Sequence, residues 1–502
     1  MLFNSHEFLF AFLPTTLLGF FLLGSRGWRR AAFAWLTAAS LFYYGWWDFR
    51  YVGLIGFSIA FNATVGRFLG ARNASGRRGL LAVGVAVNLA LLGYFKYANF
   101  FVDTLNAVTG SGIHLEHIVL PLGISFFTFQ QIAYLVDAHR GLAREYNLIN
   151  YSLFVCFFPQ LIAGPIVHHR EMMPQFGGRT TFRLSSSDVA VGLTILFIGL
   201  FKKVVFADTA ATFASPVYDS AAMGLAPTAA EAWIGTVAYT MQLYFDFSGY
   251  SDMAIGAARL FGIRLPINFD SPYKAVNIID FWRRWHVTLS RFLRDYLYIP
   301  LGGNRHGVAR RHVNLMVTMV LGGLWHGAGW TFVLWGALHG LYLVANHGWR
   351  HLRRLAGQDV ERSTPAGRVA GRAVTFLVVM LAWVFFRAAD TETALLVLRA
   401  MAGLGEGAAR ATDFELDDAL EWVLPLLLVC WLAPNTQQWL ERYRPALNAR
   451  LAGRLPVPAR WRRLWRAVQW RPSVTWAVVT ALIGILAVLS LVKRSEFIYF
   501  QF

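Results

Sequence analysis

Phe8–Gly24 reads FLFAFLPTTLLGFFLLG. No residue in this run is charged. As a helix it is about 26 Å long at 1.5 Å per residue, close to the ~30 Å hydrocarbon layer of a bilayer. No basic segment precedes it and no A-x-A cleavage site follows, so it reads as an uncleaved first span. Comparable apolar runs follow at 31–47, 51–66, 79–101, 188–206, 228–247, 312–325, 330–347, 373–388, 419–433 and 472–492. Two more, 117–137 and 149–167, are interrupted by Pro121, Pro159 and Pro165. Proline removes a backbone donor, so these stretches are expected to bend inside the protein rather than face lipid. The shorter runs suit tilted, broken or re-entrant helices. The fold class is therefore all-α: a polytopic membrane protein with one integral domain over 1–502. Within it, N-terminal helices fill 1–110, a core fills about 117–347 and C-terminal helices fill 373–492.

Composition agrees. Apolar residues make up 56% of the chain and charged residues 15%, against roughly 25% charged in soluble proteins. The net charge of +18 comes largely from Arg in the loops between apolar runs. That distribution is the positive-inside pattern and not a nucleic-acid footprint, so no nucleic-acid partner is expected. Arg26, Arg29 and Arg30 follow the first span, and Arg67, Arg72, Arg77 and Arg78 follow the third. These loops are expected in the cytoplasm and the N-terminus outside. Segments 349–372 and 441–471 are basic and 389–421 is acidic, which repeats the alternation. The Arg/Trp stretch 457–471 suits either an interfacial helix or an ordinary loop. Asn73-Ala74-Ser75 fits a glycosylation pattern, but its loop is expected to be cytoplasmic. Cys156 and Cys430 lie in apolar segments outside any paired or metal-ligand spacing, so no disulfide framework and no metal site is expected.

Ionisable groups at membrane depth are costly and mark functional candidates. Three stretches concentrate them. Tyr244–Asp252 (YFDFSGYSD) continues an apolar run with Asp246 and Asp252; it reads as a polar cavity wall or as a capped helix end. Phe281–His286 (FWRRWH), continuing to Arg291 and Arg294, places Arg284, Arg291 and Arg294 on one helical face. That face suits membrane anchoring, or the binding of an anionic donor by Arg283, Arg284 and Arg291 with His286 turned inward. Gly322–Gly329 (GGLWHGAG), followed by Trp335–Gly340 (WGALHG), sets His326 among glycines at the end of an apolar run. A neutral His there is either a packing residue or a general base. His339 lies thirteen positions on, about 220° around an unbroken helix. A shared site therefore requires a break at Gly327 or Gly329. No serine elbow, phosphate-binding loop, dinucleotide fingerprint or zinc-protease motif is present. The residues alone point to acid–base chemistry in a membrane cavity without naming the reaction.

Leu120–Phe129 (LPLGISFFTF), Phe158–Pro165 (FPQLIAGP), Tyr244–Asp252, Phe281–His286 and Leu324–Gly327 (LWHG) occur in the order expected of the membrane-bound O-acyltransferases. The chain resembles that family over nearly its whole length. It is most similar to the branch that acetylates alginate, a branch that the closing Glu496–Phe502 (EFIYFQF) also suits. Relatives acetylating peptidoglycan or cellulose, and more distantly those D-alanylating teichoic acid, share these motifs. The resemblance implies a bowl of tilted helices around a buried funnel. It implies His326 as the catalytic His and His286 as a second His of the site, with His339, Asp246, Asp252 and Tyr244 in possible support. The implied reaction takes an acetyl group from a cytoplasmic donor, acetyl-CoA, with no bound cofactor. His326 would act as general base, His286 would position the acceptor or stabilise the thioester oxygen, and Asp246 or Asp252 would hold an imidazole tautomer. The implied partners are a periplasmic acetyltransferase, the polysaccharide as final acceptor and the bilayer of the inner membrane. A transporter of acyl or glycan groups, or a scaffold, remains the competing reading, although no internal repeat supports transport.

Overall fold

The computed structural model describes residues 1–70, 76–143, 147–178, 181–360, 362–405, 415–448, 462–491 and 497–498. Asn73-Ala74-Ser75 and most of the closing Glu496–Phe502 lie outside them, as does the start of the Arg/Trp stretch. Among the described residues the regular structure is helical, without strands. Each of the eleven uninterrupted apolar runs forms a helix. Among the described residues five helices are long and apolar enough to cross a bilayer: Glu7–Ser25, Arg50–Gly70, Arg77–Thr109, Ser186–Ala222 and Pro365–Arg387. The shorter Val474–Leu489 is also apolar. The chain is thus an all-α, multi-pass membrane protein. Of the proline-broken stretches, 149–167 bends inside the protein as expected, whereas the start of 117–137 is largely exposed. Residues 110–121 lack helix, and 149–167 splits into Leu148–Cys156, Phe158–Leu161 and irregular chain.

The chain divides into two compact units. The first comprises Met1–Leu200, Tyr250–Ile267 and Trp439–Glu496. Rings pack its core: Phe3, Phe8, Phe12, Tyr43 and Phe158 contact one another with centroids 4.6–6.4 Å apart. Several buried polar side chains there pair with one another, as an apolar surrounding favours. Asn62 and Asn88 exchange amide hydrogen bonds of 3.2 and 2.7 Å, and Tyr151 Oη donates to Gln131, whose amide donates to Ser58. Trp28, Phe42, Trp46 and Phe49 are exposed, and the tryptophans flank the helix Arg29–Gly45 at its two ends. Tryptophans at both ends of one apolar helix fit the aromatic belts of a bilayer.

The second unit comprises Phe201–Gly249, Asn268–Gln438 and Phe497–Phe502. Its helices are α1 (Asp208–Ala222), α2 (Ala229–Leu260, which continues into the first unit), α3 (Ile278–Arg284), α4 (Val287–Leu293), α5 (Gly307–His326), α6 (Trp330–Leu355) and α7 (Pro365–Arg387). Local chemistry sets their starts. Asn277 caps α3 by accepting from the Asp280 N–H, and Thr364 caps α7 ahead of Pro365 at the first helical position. Glycine sets how α5 and α6 pack. A Cβ on Gly323 would collide with the Phe332 carbonyl, and one on Gly336 with the Met319 carbonyl. Small residues at facing positions let these two backbones touch. The chain turns between them in extended geometry at Gly327 (φ −155°) and Gly329 (φ −167°). The helix therefore ends at His326, as a site shared with His339 requires.

Candidate active site

One break in the chain positions His286. The expectation of a single helical face through Arg284, Arg291 and Arg294 fails here. α3 ends at Arg284, and His286 sits in the left-handed region at φ 42° before α4 begins. A non-glycine residue there costs about 1–3 kcal/mol. Backbone hydrogen bonds on either side offset that cost: Asp270 N–H to Arg284 C=O and Val287 N–H to Asn268 C=O, both 2.9 Å. The bend turns the imidazole fully inward, with no exposed surface. Burial pushes its pKa down to about 3, so it is neutral at physiological pH.

Asn268 fixes its tautomer. Asn268 Oδ1 accepts the Thr288 backbone N–H at 3.4 Å and the Thr288 hydroxyl at 2.9 Å. A backbone N–H can only donate, so the Asn268 atom facing it is the oxygen. His286 Nδ1, 3.0 Å from the same oxygen, must then carry the proton. Nε2 is left as a bare lone pair, buried and without a hydrogen-bond partner among the described residues.

His326 faces this imidazole, with ring centroids 6.2 Å apart. It is the last residue of α5 and is 3% exposed. Trp325, Trp335 and Phe386 present edges to it at 5.0, 5.1 and 5.3 Å. These rings exclude water. A cavity opens beside His326, lined by Leu243, Asp246, Phe247, Trp285, Trp383, Phe386 and Ile498. Its walls are four aromatic rings and two aliphatic side chains besides His326, with one carboxylate.

The remaining sequence candidates fall out as follows. Asp246 lines the cavity, but it holds no imidazole. It makes a 2.7 Å ion pair with Lys203 and accepts the Ile498 N–H at 3.1 Å. Asp252 belongs to the first unit. On His286 the tautomer-holding contact is made by Asn268. A neutral amide holds the imidazole there without bringing a second charge into an apolar surrounding. Tyr244 is buried against Tyr273 and Phe269. His339 is fully buried among Trp282, Trp335, Trp383 and Tyr342, and Trp335 touches both it and His326. Neither ring nitrogen of His339 has a hydrogen-bond partner among the described residues. Arg284 is engaged by Asp280 at 2.8 Å and by the Asp270 carboxylate at 3.7 Å, while Arg283 is exposed.

Sequence reasoning missed Asn268, Thr288, Trp383, Phe386 and Lys203. Lys203 carried a readable signal, a lysine inside the apolar run 188–206. It lies in a π-helical turn, Lys202–Ala207, that locally widens the helix and is a frequent companion of functional sites. Asn268 carried none.

The segment holding both histidines matches a known family. Residues 115–386 fit the model for MBOAT, the membrane-bound O-acyltransferase family. The chain belongs to that family. It is 46% identical to the peptidoglycan O-acetyltransferase of Helicobacter pylori, over 80% of each chain. It is 39% identical to a probable alginate O-acetylase of Pseudomonas putida, over 100% of each chain. A teichoic acid D-alanyltransferase of Bacillus subtilis is 28% identical over 46% of this chain and 59% of its own. This membrane-bound O-acyltransferase is therefore an enzyme of acyl transfer, which sets aside the transporter and scaffold readings.

Proposed function

We propose that this acyltransferase moves acetyl groups from cytoplasmic acetyl-CoA for O-acetylation of an exopolysaccharide, alginate. It would do so in a bacterial inner membrane, with its N-terminus in the periplasm. The observation that carries the reading is the pair of buried histidines inside the family-matched segment, their rings 6.2 Å apart and one of them lining a cavity. The choice of alginate rests on the alginate O-acetylase relative that matches from end to end. The choice of a cytoplasmic donor rests on the basic loops expected to face inward.

In this mechanism the acceptor oxygen attacks the thioester carbonyl carbon, and the C–S bond breaks. His326 takes the hydroxyl proton and delivers it to the departing thiolate. The carbonyl end of α5 stabilises the imidazolium formed on the way by about 0.3–1 kcal/mol. With Nδ1 protonated, His286 Nε2 can accept a hydrogen bond but cannot donate one. It therefore orients the acceptor hydroxyl and does not stabilise the oxyanion. The acceptor is a hydroxyl of a periplasmic acetyltransferase partner, which then modifies the polymer.

The test is ester released by mild base from exopolysaccharide of the wild type, a deletion strain and its complemented form. Loss on deletion and recovery on complementation are expected. Undiminished alginate ester after deletion would defeat the alginate assignment. Ester lost from peptidoglycan instead would favour the second reading, which the Helicobacter pylori relative supports.

The tautomer argument makes a separate prediction. Asn268→Leu frees the His286 ring and is expected to lower kcat roughly tenfold to a hundredfold, by analogy with the loss when a metal-bound imidazole is deprived of its orienting partner. Asn268→Asp should recover part of that loss, because its carboxylate still accepts from Nδ1. Equal kcat for wild type and Asn268→Leu in a purified acetyl-transfer assay would refute the role.

A further inference from the structure

Three hydrogen-bond donors meet where α7 approaches the helix Leu416–Leu432, within the second unit. Gly371 opens the contact. A Cβ there would lie 2.6 Å from the Val276 carbonyl, so α7 sits directly on the chain that follows Lys274. One turn on from Arg372, Phe376 packs edge-on against Trp431 with centroids 5.6 Å apart. Lys274 Nζ donates to the Ala433 C=O, two residues past Trp431. These contacts gather Lys274, Arg372 and Trp431, and Arg372 lies within electrostatic reach of Lys274. All three are half-buried.

Each of the three side chains offers donors and no acceptor. Arg372 Nε and Trp431 Nε1 are buried without a hydrogen-bond partner among the described residues. Neither Arg372 nor Lys274 forms an ion pair among those residues. The acid that acts on Lys274 is Asp270, which is already held by Arg284 at 3.7 Å and by Asn435 at 2.8 Å. One orphan donor would carry little weight. Two neighbouring cations and an indole N–H together are stabilised by an anion with several acceptor oxygens.

The surroundings decide which anion. Val369, Ala373 and Leu377 form an exposed stripe along α7 beside Arg372, and Leu424, Leu428 and Leu432 form another along the helix Leu416–Leu432. The spacing of four keeps each set on one helical face. α7 crosses the bilayer, and Arg372 stands within its first turns, next to the basic segment 349–372. At that level a long cationic side chain reaches lipid phosphates while its stem stays in hydrocarbon. A soluble anion would use the donors and leave the apolar stripes idle. A phospholipid uses both.

We propose that Lys274, Arg372 and Trp431 hold the phosphate of an anionic phospholipid whose acyl chains lie along these two stripes. The guanidinium fork binds phosphate oxygens in pairs, and an indole presents an apolar body with a polar tip to the same boundary. The extra cation of a zwitterionic headgroup would face Lys274 and Arg372, which favours a headgroup such as phosphatidylglycerol. The bound lipid ties the start of α7 to the chain at Lys274. Further along, α7 carries Trp383 and Phe386 in the wall of the cavity beside His326.

The experiment uses purified full-length protein, delipidated in a nonionic detergent and titrated with phosphatidylglycerol. Native mass spectrometry counts the lipid retained, and a melting curve follows each step. Wild type is expected to keep one phosphatidylglycerol molecule in preference to phosphatidylcholine and to melt at a higher temperature with it. Arg372→Gln should weaken that binding roughly tenfold or more, while its lipid-free melting temperature stays that of the wild type. Trp431→Phe keeps the ring contact with Phe376 and deletes the N–H, so a smaller loss, about threefold, is expected, and it serves as the test should Arg372→Gln fold poorly. Equal retention of phosphatidylglycerol by wild type and both variants would overturn the site. A lipid-free variant that melts lower and loses lipid in proportion would make Arg372 a packing residue and overturn it too. Displacement of the lipid by millimolar inorganic phosphate or 3′,5′-ADP would mark a pocket for soluble anions, with the same consequence. None of these readouts uses acetyl transfer, so the site and the proposed reaction stand or fall separately.

Discussion

His326→Ala is expected to lower acetyl transfer by about 10²–10⁴ while the protein still inserts and folds. In barrier terms that is about 3–5 kcal/mol. The size follows from where the imidazole sits. Trp325, Trp335 and Phe386 pack around it, so bulk water cannot take over proton transfer when the ring is removed. The carbonyl end of α5 also loses the cation it was placed to stabilise. His286 is a poor substitute, because its full burial opposes the imidazolium that a general base must become. A void in the aromatic wall is the competing explanation for any loss. His326→Gln fills more of that volume without restoring a comparable base, so a catalytic role predicts that it stays as inactive as alanine. The measurement is single-turnover acetyl transfer alongside a melting curve for each variant. Activity returning with His326→Gln, in step with stability, would make His326 a packing residue.

The fold was legible because bilayer physics leaves few choices. A run such as Phe8–Gly24 has to satisfy its backbone internally, and a helix does so. The glycines around His326 were equally readable, since Gly323 and Gly327 have no room for a Cβ. The helix break that frees His326 from the periodicity of α6 followed from them. The site was half legible. Histidines and aspartates at membrane depth stand out by cost alone, which exposed His326, His286 and Asp246. Their partners did not stand out. The bend at His286 carries no glycine or proline, and it exists because distant backbone groups at Asn268 and Asp270 hold it. A helical-face argument across 281–294 therefore treated two helices as one and misplaced the arginines. Asn268 is an ordinary polar residue in extended chain, and only the convergence of three donors on its oxygen gives it a role.

Lys203 and Asp246 yield the second large effect. Both side chains are nearly buried, at 3% and 2% exposure, and their charged atoms are 2.7 Å apart. Lys203 also bonds Asp208 at 2.8 Å, and the Phe497 ring lies 5.0 Å from its ammonium. Asp246 in turn accepts the Ile498 N–H, so the pair fixes one wall of the cavity beside His326. Removing Lys203 leaves the Asp246 charge stranded in an apolar surrounding, whereas removing Asp246 leaves Lys203 still paired with Asp208. Lys203→Met alone is expected to destabilise the protein by about 3–5 kcal/mol, and Asp246→Leu alone by less. The double variant Lys203→Met/Asp246→Leu should recover most of that stability, because an apolar pair of similar volume carries no desolvation cost. Activity should not recover with it, since the Ile498 N–H has lost its acceptor and the cavity wall is no longer held. Ile498→Cys provides a direct readout of the wall, because Cys156 and Cys430 are both buried. Its maleimide labelling should be slow with Asp246 present and fast in the double variant. Full activity and slow labelling in a stable double variant would reduce the ion pair to a packing element with no part in shaping the cavity.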